Sequence, residues 1–375
     1  MKLVLLGLSI TSSWGNGHAT TYRALARALA ARGHRVTFLE RDLPWYAANR
    51  DLPSPRFARV ELYRGLDELR ARFAGEVRDA DVVMVGSFVP DGALVGDWVL
   101  ASARGVTAFY DIDTPVTLRR LAEGEHGYLA PSQVPRYRLY LSFTGGPTLE
   151  RVRDEWGARL VRPLYCACDP ELHRPLASPR RWDLGYLGTY APDRQPLVEE
   201  LLLAPARQFA AGRFAVAGPQ YPDGVAWPRN VERLTHVAPP EHRDFYGAQR
   251  FTLNLTRADM KRAGWSPSVR LFEAAACAVP VISDEWPGLE RFFEPGREIL
   301  VARSADDVLR WLGDVRESER RAIGERARVR VRTEHTAAHR ALELERWVRE
   351  AADDDAARAP RPTREEHEAT WRRSW

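Results

Sequence analysis

The sequence predicts an α/β protein made of two Rossmann-like, doubly wound domains that face each other across a cleft. Short apolar runs typical of buried parallel strands alternate with segments of helical length. The alternation stops at a Pro-rich segment near 162–179 and then restarts. A length of 375 residues is also typical of two domains. The expected units are an N-terminal domain, a linker, a C-terminal domain, a helix that could cross back to the first domain, and a mobile tail, at 1–165, 166–180, 181–335, 336–355 and 356–375.

Each domain contains its own set of strands. The first-half strands are expected at 3–8, 35–40, 81–86, 106–110 and 139–143, with a helix over 19–32 that Gly33 ends. The second-half strands are expected at 182–188, 213–218, 251–256, 279–283 and 298–302. Helices are expected at 194–211, 241–249 and 267–277, and a long charged helical stretch at 318–352. Ligands of such folds bind at the carboxyl ends of the strands, so we expect the site in the cleft.

Composition excludes several classes of protein. The net charge is only +4, with acidic and basic residues interspersed, which argues against nucleic acid as a partner. Three cysteines without a framework spacing indicate a reducing compartment. No apolar stretch approaches the roughly 20 residues of a membrane-spanning helix. We therefore expect a cytoplasmic protein, with peripheral contact to a membrane left open.

The first glycine loop, residues 11–20, follows a strand and opens a helix. Its glycines let the backbone approach a ligand, and the helix N-terminus favours an anion. His18 at the helix entrance could take a proton from a substrate hydroxyl, or it could simply order the loop. Trp14, Asn16 and Gly17 are expected to contact the same substrate.

The same loop partly matches a dinucleotide fingerprint. Gly15-x-Gly17 supplies two of its glycines, and Glu40 lies at a suitable distance for a ribose contact. Thr20 stands where the third glycine belongs, and the loop is longer than the tight turn requires. An NAD-linked oxidoreductase is therefore an alternative rather than the leading hypothesis.

The most informative segment is 265–283, WSPSVRLFEAAACAVPVIS. Ser266 is a suitable N-cap and Pro267 a suitable first helical residue. The exposed N-terminus of this helix could bind a diphosphate. Glu273, two turns further on, could accept hydrogen bonds from both hydroxyls of a ribose. The alternative is an exposed glutamate paired with Arg270 at i,i+3.

This segment resembles the donor-binding helix of GT-B glycosyltransferases of the "glycosyl transferases group 1" type. It is more narrowly similar to the CgeB-like branch, whose members carry P-S-x-R-x-F-E-A-A-A-C-x-x-P-V-I-S. The resemblance covers about residues 1–345. It implies that Glu273 holds the ribose. Further donor contacts implied or expected at the same site are Gly188, Thr189, Arg194, Arg257, Lys261, Ser266, Ser268 and Arg270.

An acidic motif, Asp111-Ile112-Asp113, follows the strand expected at 106–110. Either carboxylate could orient the acceptor or act as a base, and Asp113 could instead cap a helix ahead of Pro115. A D-x-D pair also binds metal in single-domain glycosyltransferases. The two-domain arrangement argues against that chemistry here, so no metal and no cofactor are expected.

The expected function is transfer of a hexose from a nucleoside-diphosphate sugar, such as a UDP-sugar, to a hydroxyl of a glycan, a protein or a small molecule. Trp265 occupies the position at which retaining relatives often carry a second glutamate, whereas Gly17-His18 resembles the Gly-His of inverting enzymes. Both stereochemical outcomes stay open, with retention slightly favoured. A non-catalytic, glycosyltransferase-like binding protein is the other alternative.

Overall fold

The computed structural model describes residues 1–358 and contains two parallel β-sheets with helices on their faces. The first sheet has the strand order β3-β2-β1-β4-β5-β6-β7 and the second has the order β10-β9-β8-β11-β12-β13. This confirms the predicted fold class. The strands are β1 (Lys2–Gly7), β2 (Arg35–Arg41), β3 (Arg59–Tyr63), β4 (Val82–Gly86), β5 (Val106–Asp111), β6 (Leu139–Ser142), β7 (Val161–Pro163), β8 (Trp182–Leu187), β9 (Phe214–Ala217), β10 (Val231–Leu234), β11 (Gln249–Asn254), β12 (Val281–Asp284) and β13 (Leu300–Ala302).

Helices connect most of these strands, and further helices follow β13. They are α1 (Gly17–Ala31), α2 (Pro44–Ala47), α3 (Leu66–Asp79), α4 (Gly92–Ser102), α5 (Thr114–Ala122), α6 (Pro147–Asp154), α7 (Gln195–Val198), α8 (Ala204–Gln208), α9 (His242–Gly247), α10 (Ala258–Ala263), α11 (Val269–Ala276), α12 (Ala305–Asp314), α13 (Glu317–Glu334) and α14 (Ala337–Arg358). A π-helical turn, Glu199–Leu203, joins α7 to α8. Among the described helices, none combines the length and the apolar character that crossing a bilayer requires.

Each sheet reverses its strand order next to its first strand in the chain. β1 lies between β2 and β4, and β8 lies between β9 and β11. The loop that leaves β1 therefore opens at one such reversal, and the loop that leaves β8 opens at the other. Ligand sites of open parallel sheets form at these points because the helices before and after the reversal lie on opposite faces.

Two chain segments connect the domains, and they bond to each other. The amide of Cys168 donates to the carbonyl of His335 at 3.3 Å, and the amide of Ala337 donates to the carbonyl of Cys168 at 2.9 Å. Helix α14 then packs against α1, β5 and β6 of the first domain. The predicted helix at 336–355 thus lies on the first domain. The domain limits drawn from the sequence otherwise stay a prediction, and residues 359–375 of the expected tail lie outside the described part of the chain.

The structure differs from the sequence prediction mainly at short edge elements and helix ends. Strands β3, β7 and β10 were not predicted. Each is an edge strand of its sheet. Strands β3 and β10 also contain both polar and apolar residues. The charged stretch at 318–352 is two helices, broken at His335 and Thr336 where the chain pairs with the linker. Helix α11 begins at Val269, two residues later than expected, so Ser268 and not Ser266 is its N-cap residue.

The close approach of α13 to the turn after α11 gives a test of this packing. A Cβ at Gly324 would lie 2.3 Å from the carbonyl oxygen of Ala278, so Gly324→Ala forces the helix away from that backbone. We expect the free energy of unfolding to fall by about 1–3 kcal/mol, as for other overpacked sites. Urea unfolding measures this.

Gly313 provides the matched control. It lies in α12 with no atom within 4 Å of its would-be Cβ. Because alanine is the better helix former, Gly313→Ala should be neutral or stabilising by up to about 1 kcal/mol. Equal effects of the two substitutions would contradict the proposed contact.

Candidate active site

Two neighbouring cavities occupy the cleft between the domains. Cavity A has a volume of about 230 Å³ and cavity B of about 260 Å³. Both are lined by Gly17 of the first domain and by Arg194 and Val269 of the second. A ligand that fills both would therefore contact both domains.

Two helix N-termini point into this cleft. Gly17 begins α1, and Val269 begins α11. The Asn16 side chain accepts from the amide of His18, which satisfies one amide of α1. Ser268, at the N-cap of α11, instead donates its hydroxyl to Asn254 at 2.7 Å, and no described side chain caps that helix. The free amides and the helix dipole make this part of the cleft favourable for an anion.

Two arginines add positive charge to cavity A. Arg270 is 8% exposed, donates to the carbonyl of Leu187 and, at 3.0 Å, to Asn254, and stacks 4.8 Å from the ring centroid of Tyr186. Arg194 donates to the carbonyl of Thr189. These acceptors are neutral, so the two guanidinium charges stay available for an anion such as a diphosphate.

Glu273 lies at the floor of cavity A and is 2% exposed. Its Oε2 accepts from Nδ1 of His242 and from the Tyr246 hydroxyl, each at 3.2 Å, while its Oε1 lies 3.6 Å from Nε2 of His173. Burial acts to raise the pKa of this carboxyl. The two imidazoles and the hydrogen bonds outweigh that effect and lower the pKa to about 2. The alternative of an exposed glutamate paired with Arg270 is wrong.

The ligand atoms of His173, His242 and Glu273 lie within 4.8 Å of one another. These are chemically suitable groups for a transition metal. Tyr246 and His242 already donate to Oε2, so we interpret the three side chains, together with Tyr246, as a hydrogen-bonded cluster around one buried carboxylate.

Cavity B contains the predicted catalytic residues His18 and Asp113. His18 is half-buried, and its Nδ1 has no hydrogen-bond partner among the described residues. Burial lowers the pKa of His18, an effect that Asp113 opposes, so the imidazole is neutral at neutral pH. Asp113 occupies the N-cap position of α5 without capping it through its side chain, and Arg257 lies 3.9 Å from its carboxylate.

Asp111 does not reach the cleft, contrary to expectation. It is fully buried and lines neither cavity. Its carboxylate accepts from the hydroxyls of Tyr140 at 2.5 Å and Thr117 at 2.8 Å, because β5 turns this side chain toward its neighbours β6 and α5. Burial raises its pKa to about 6, partly offset by these hydrogen bonds. The side chain lacks the access that a catalytic base needs.

The other predicted site residues divide into three groups. Gly188, Thr189 and Asn16 line cavity A, and Arg257, Ser266 and Ser268 line cavity B. Trp14 and Lys261 line neither cavity. Lys261 extends toward the buried carboxylate of Asp284, 3.4 Å away, which places its charge outside the cleft.

Three residues around Glu273 were missed from the sequence. His242 and Tyr246 fall four residues apart in α9, a spacing that puts two side chains on one helix face and could have been noticed. His173 lies in the Pro-rich linker, where no periodic pattern marks it. Ser266 was read as a helix cap, but its hydroxyl bonds that of Thr144 across the domain boundary at 2.8 Å.

The geometry does not favour dinucleotide binding at the first glycine loop. Glu40 is fully buried and accepts four hydrogen bonds from Ser9, Ile10 and Thr11. Its oxygens hold the loop in place and are not directed at a ribose. The NAD-linked alternative therefore loses the acidic residue on which it depends.

Residues 194–346 match the protein family described as "Glycosyl transferase-like". No curated protein sequence matches the chain. Among solved structures, sucrose-phosphate synthase from Thermosynechococcus elongatus is 16% identical, with a TM-score of 0.70, and the match covers 94% of this chain and 99% of that one. HepE from Anabaena, in complex with UDP-glucose, is 13% identical with a TM-score of 0.67 and coverage of 92% and 98%.

A third similar structure, from E. coli, is described as trehalose-6-phosphate bound with UDP-2-fluoro glucose. It is 11% identical, with a TM-score of 0.65 and coverage of 93% and 99%. At such identities the similarity shows the fold alone. It is the two-domain GT-B arrangement, and it extends over nearly the whole length of both chains.

The buried carboxyl of Asp111 gives a pH-dependent prediction. The pKa of this carboxyl is about 6 in the folded chain, compared with an ordinary value of 3.8. Between pH 4 and 6 the carboxyl is therefore protonated in the folded chain and ionised in the unfolded chain. The free energy of unfolding should therefore fall as pH rises through this window. The expected loss is about 3 kcal/mol, because one pKa unit corresponds to about 1.4 kcal/mol.

Asp111→Asn removes this titration while keeping an oxygen for Tyr140 and Thr117. Urea unfolding of both proteins at pH 4, 5, 6 and 7 gives the comparison. The wild type should lose stability relative to the variant as pH rises. Parallel pH profiles would show that Asp111 is not the titrating group.

Proposed function

We propose that this chain is a glycosyltransferase that moves a hexose from a nucleoside-diphosphate sugar to an acceptor hydroxyl. One observation carries the proposal. A single interdomain cavity combines two helix N-termini, two arginines that have no carboxylate partner in the described part of the chain and, at its floor, a buried ionised carboxylate. A diphosphate fits the first two features, and the vicinal hydroxyls of a ribose fit the third.

The donor would extend along the cleft from cavity A, with its nucleoside, to cavity B, with its sugar. Its ribose would reach Glu273, and its diphosphate would lie between the start of α11 and the side chains of Arg194 and Arg270. The base would contact the wall of the same cavity, formed by Gly218, Pro219, His236, Val237 and Pro239. The sugar would enter cavity B, beside His18. UDP is the expected nucleotide, which agrees with the UDP ligands named for the similar structures from Anabaena and E. coli.

Catalysis would rest on electrostatic stabilisation of the departing diphosphate. Helix dipoles and two guanidinium groups in a partly dehydrated cleft can stabilise that charge. We therefore propose a metal-independent reaction with the nucleotide sugar as co-substrate and no cofactor. The acceptor would approach cavity B, and it could be a glycan, a protein or a small molecule. Membership of the CgeB-like branch and a cytoplasmic location stay proposals.

We further propose that the reaction retains the anomeric configuration of the donor sugar. An inverting enzyme needs a base that a second group orients. His18 is neutral and could accept a proton, but its buried Nδ1 has no hydrogen-bond partner among the described residues. Asp113 acts on it only through space. This geometry favours a role for His18 in contacting the sugar or the acceptor.

Thermal shift with a panel of nucleoside diphosphates tests donor binding. We expect UDP at a hundredfold excess over its Kd to stabilise the protein by about 2.7 kcal/mol. Glu273→Gln removes the charge that accepts the ribose hydroxyls, so it should weaken UDP binding about tenfold to a hundredfold. Glu285→Gln removes an exposed glutamate that pairs with Arg303 outside both cavities, and it should leave binding unchanged.

Absence of stabilisation by any of UDP, GDP or TDP would remove the main support for the proposal. Donor hydrolysis separates a transferase from a glycosyltransferase-like binding protein. The wild type should slowly release the sugar from its nucleotide even without an acceptor. At the same subsaturating donor concentration, Glu273→Gln should release it about tenfold to a hundredfold more slowly, in line with its weaker binding. Binding without any turnover would favour the binding protein.

Stereochemistry gives an independent prediction. Proton NMR of the product linkage should show the same anomeric configuration as the donor. His18→Gln should then lower kcat less than the roughly 10²–10⁴-fold loss expected when a general base is removed. An inverted product, together with a loss in that range, would identify His18 as the base of an inverting enzyme.

A further inference from the structure

The carboxylate of Glu273 is held by side chains from two other segments of the chain. His242 and Tyr246 come from α9, and His173 comes from the linker at 166–180. We infer that His173 and His242 are positioning residues that fix this carboxylate for the ribose of the donor, an inference that rests on the proposed function. Neither the family match, which begins at residue 194, nor the sequence pattern assigns a role to His173.

The two carboxylate oxygens have different surroundings. Oε2 accepts from His242 and Tyr246, and both of these side chains line cavity A. Oε1 is buried and faces His173, which does not line the cavity. Ribose hydroxyls entering cavity A would therefore meet Oε2, and His173 would support the carboxylate from behind.

His173 is suited to that supporting position. Its side chain is 1% exposed, and neither ring nitrogen has a hydrogen-bond partner among the described residues. Oε1 of Glu273, 3.6 Å from Nε2, also lacks a partner. With a proton on Nε2, a small movement of the ring closes this gap to a hydrogen bond. The imidazole would then keep the carboxylate from moving away from the cavity when ribose binds.

The linker ties this support to the first domain. The amide of His173 donates to the carbonyl of Asp169 at 2.8 Å, in a turn whose Asp169 side chain forms an ion pair with Arg27 of α1. The N-terminus of the same helix lines both cavities through Gly17. The ribose contact therefore depends on how the linker and α1 are placed, and not on the second domain alone.

The test compares UDP with 2′,3′-dideoxy-UDP by isothermal titration calorimetry. Wild-type protein should bind UDP more tightly, because only UDP supplies hydroxyls to Glu273. His173→Leu removes the ring nitrogens at similar volume. We expect it to weaken UDP binding about tenfold and to leave dideoxy-UDP binding nearly unchanged, so that the preference for UDP shrinks. In turnover, the donor KM should rise while kcat changes little.

A conservative variant and a matched control complete the design. His173→Gln can place an amide N–H near the position of Nε2, and it should recover most of the preference for UDP. His335 is another buried histidine, stacked on Phe272 at 4.9 Å and lining neither cavity. His335→Leu should retain the wild-type preference. If His173→Leu does not fold, His242→Leu tests the same inference from the other side of the carboxylate.

Two results would overturn the inference. One is an unchanged preference for UDP in folded His173→Leu or His242→Leu protein. The other is a stoichiometric transition metal in the purified wild type, detected by mass spectrometry and lost in His173→Leu, which would make the imidazole a metal ligand. Wild-type protein that binds no nucleoside diphosphate, or binds both forms equally, would instead refute the proposed donor site.

Discussion

A buried negative charge at the base of the interdomain cleft is the constraint on which this site depends. An ionised carboxylate at 2% exposure is unfavourable unless donors surround it. Here the donors come from α9 and the linker, so three separate segments must meet at Glu273. Helix α11, which carries Glu273, must also expose its N-terminus to the cavity while it packs against β11 and β12.

The connections between the domains serve the same geometry. The linker and the segment before α14 pair with each other at Cys168 and Thr336, and α14 then returns to the first sheet. On α14, Glu345 lies 2.5 Å from Arg32 and 2.7 Å from His34. The two sheets are thereby held with their strand reversals facing each other. This arrangement brings the N-termini of α1 and α11 to one cleft.

Regular elements could be predicted from the sequence because their signals are local. Runs such as that of β4 are apolar throughout, and α1 follows its glycine loop directly. The residues that define the site depend on contacts between distant segments. Ser266 has the sequence context of a helix cap, but its hydroxyl forms a hydrogen bond with that of Thr144, more than a hundred residues away. Asp111 and Asp113 differ by only two positions, and only the packing of Tyr140 and Thr117 shows which one is buried. His173 carries no pattern at all.

Trp265 shows how far a long-range requirement can override local preference. It has φ of 44°, a left-handed conformation that is unfavourable for a bulky residue. Its ring packs against Gly146 of the first domain and against Gly288. A Cβ at either glycine would lie only 2.5–2.6 Å from the ring. The carbonyl of Trp265 also accepts from the amide of Gly145 at 2.9 Å. The strain is thus tied to contact between the domains. Because the ring of Trp265 fills the space beside Gly146 and Gly288, a side chain at either glycine would displace the ring and loosen this contact between the domains.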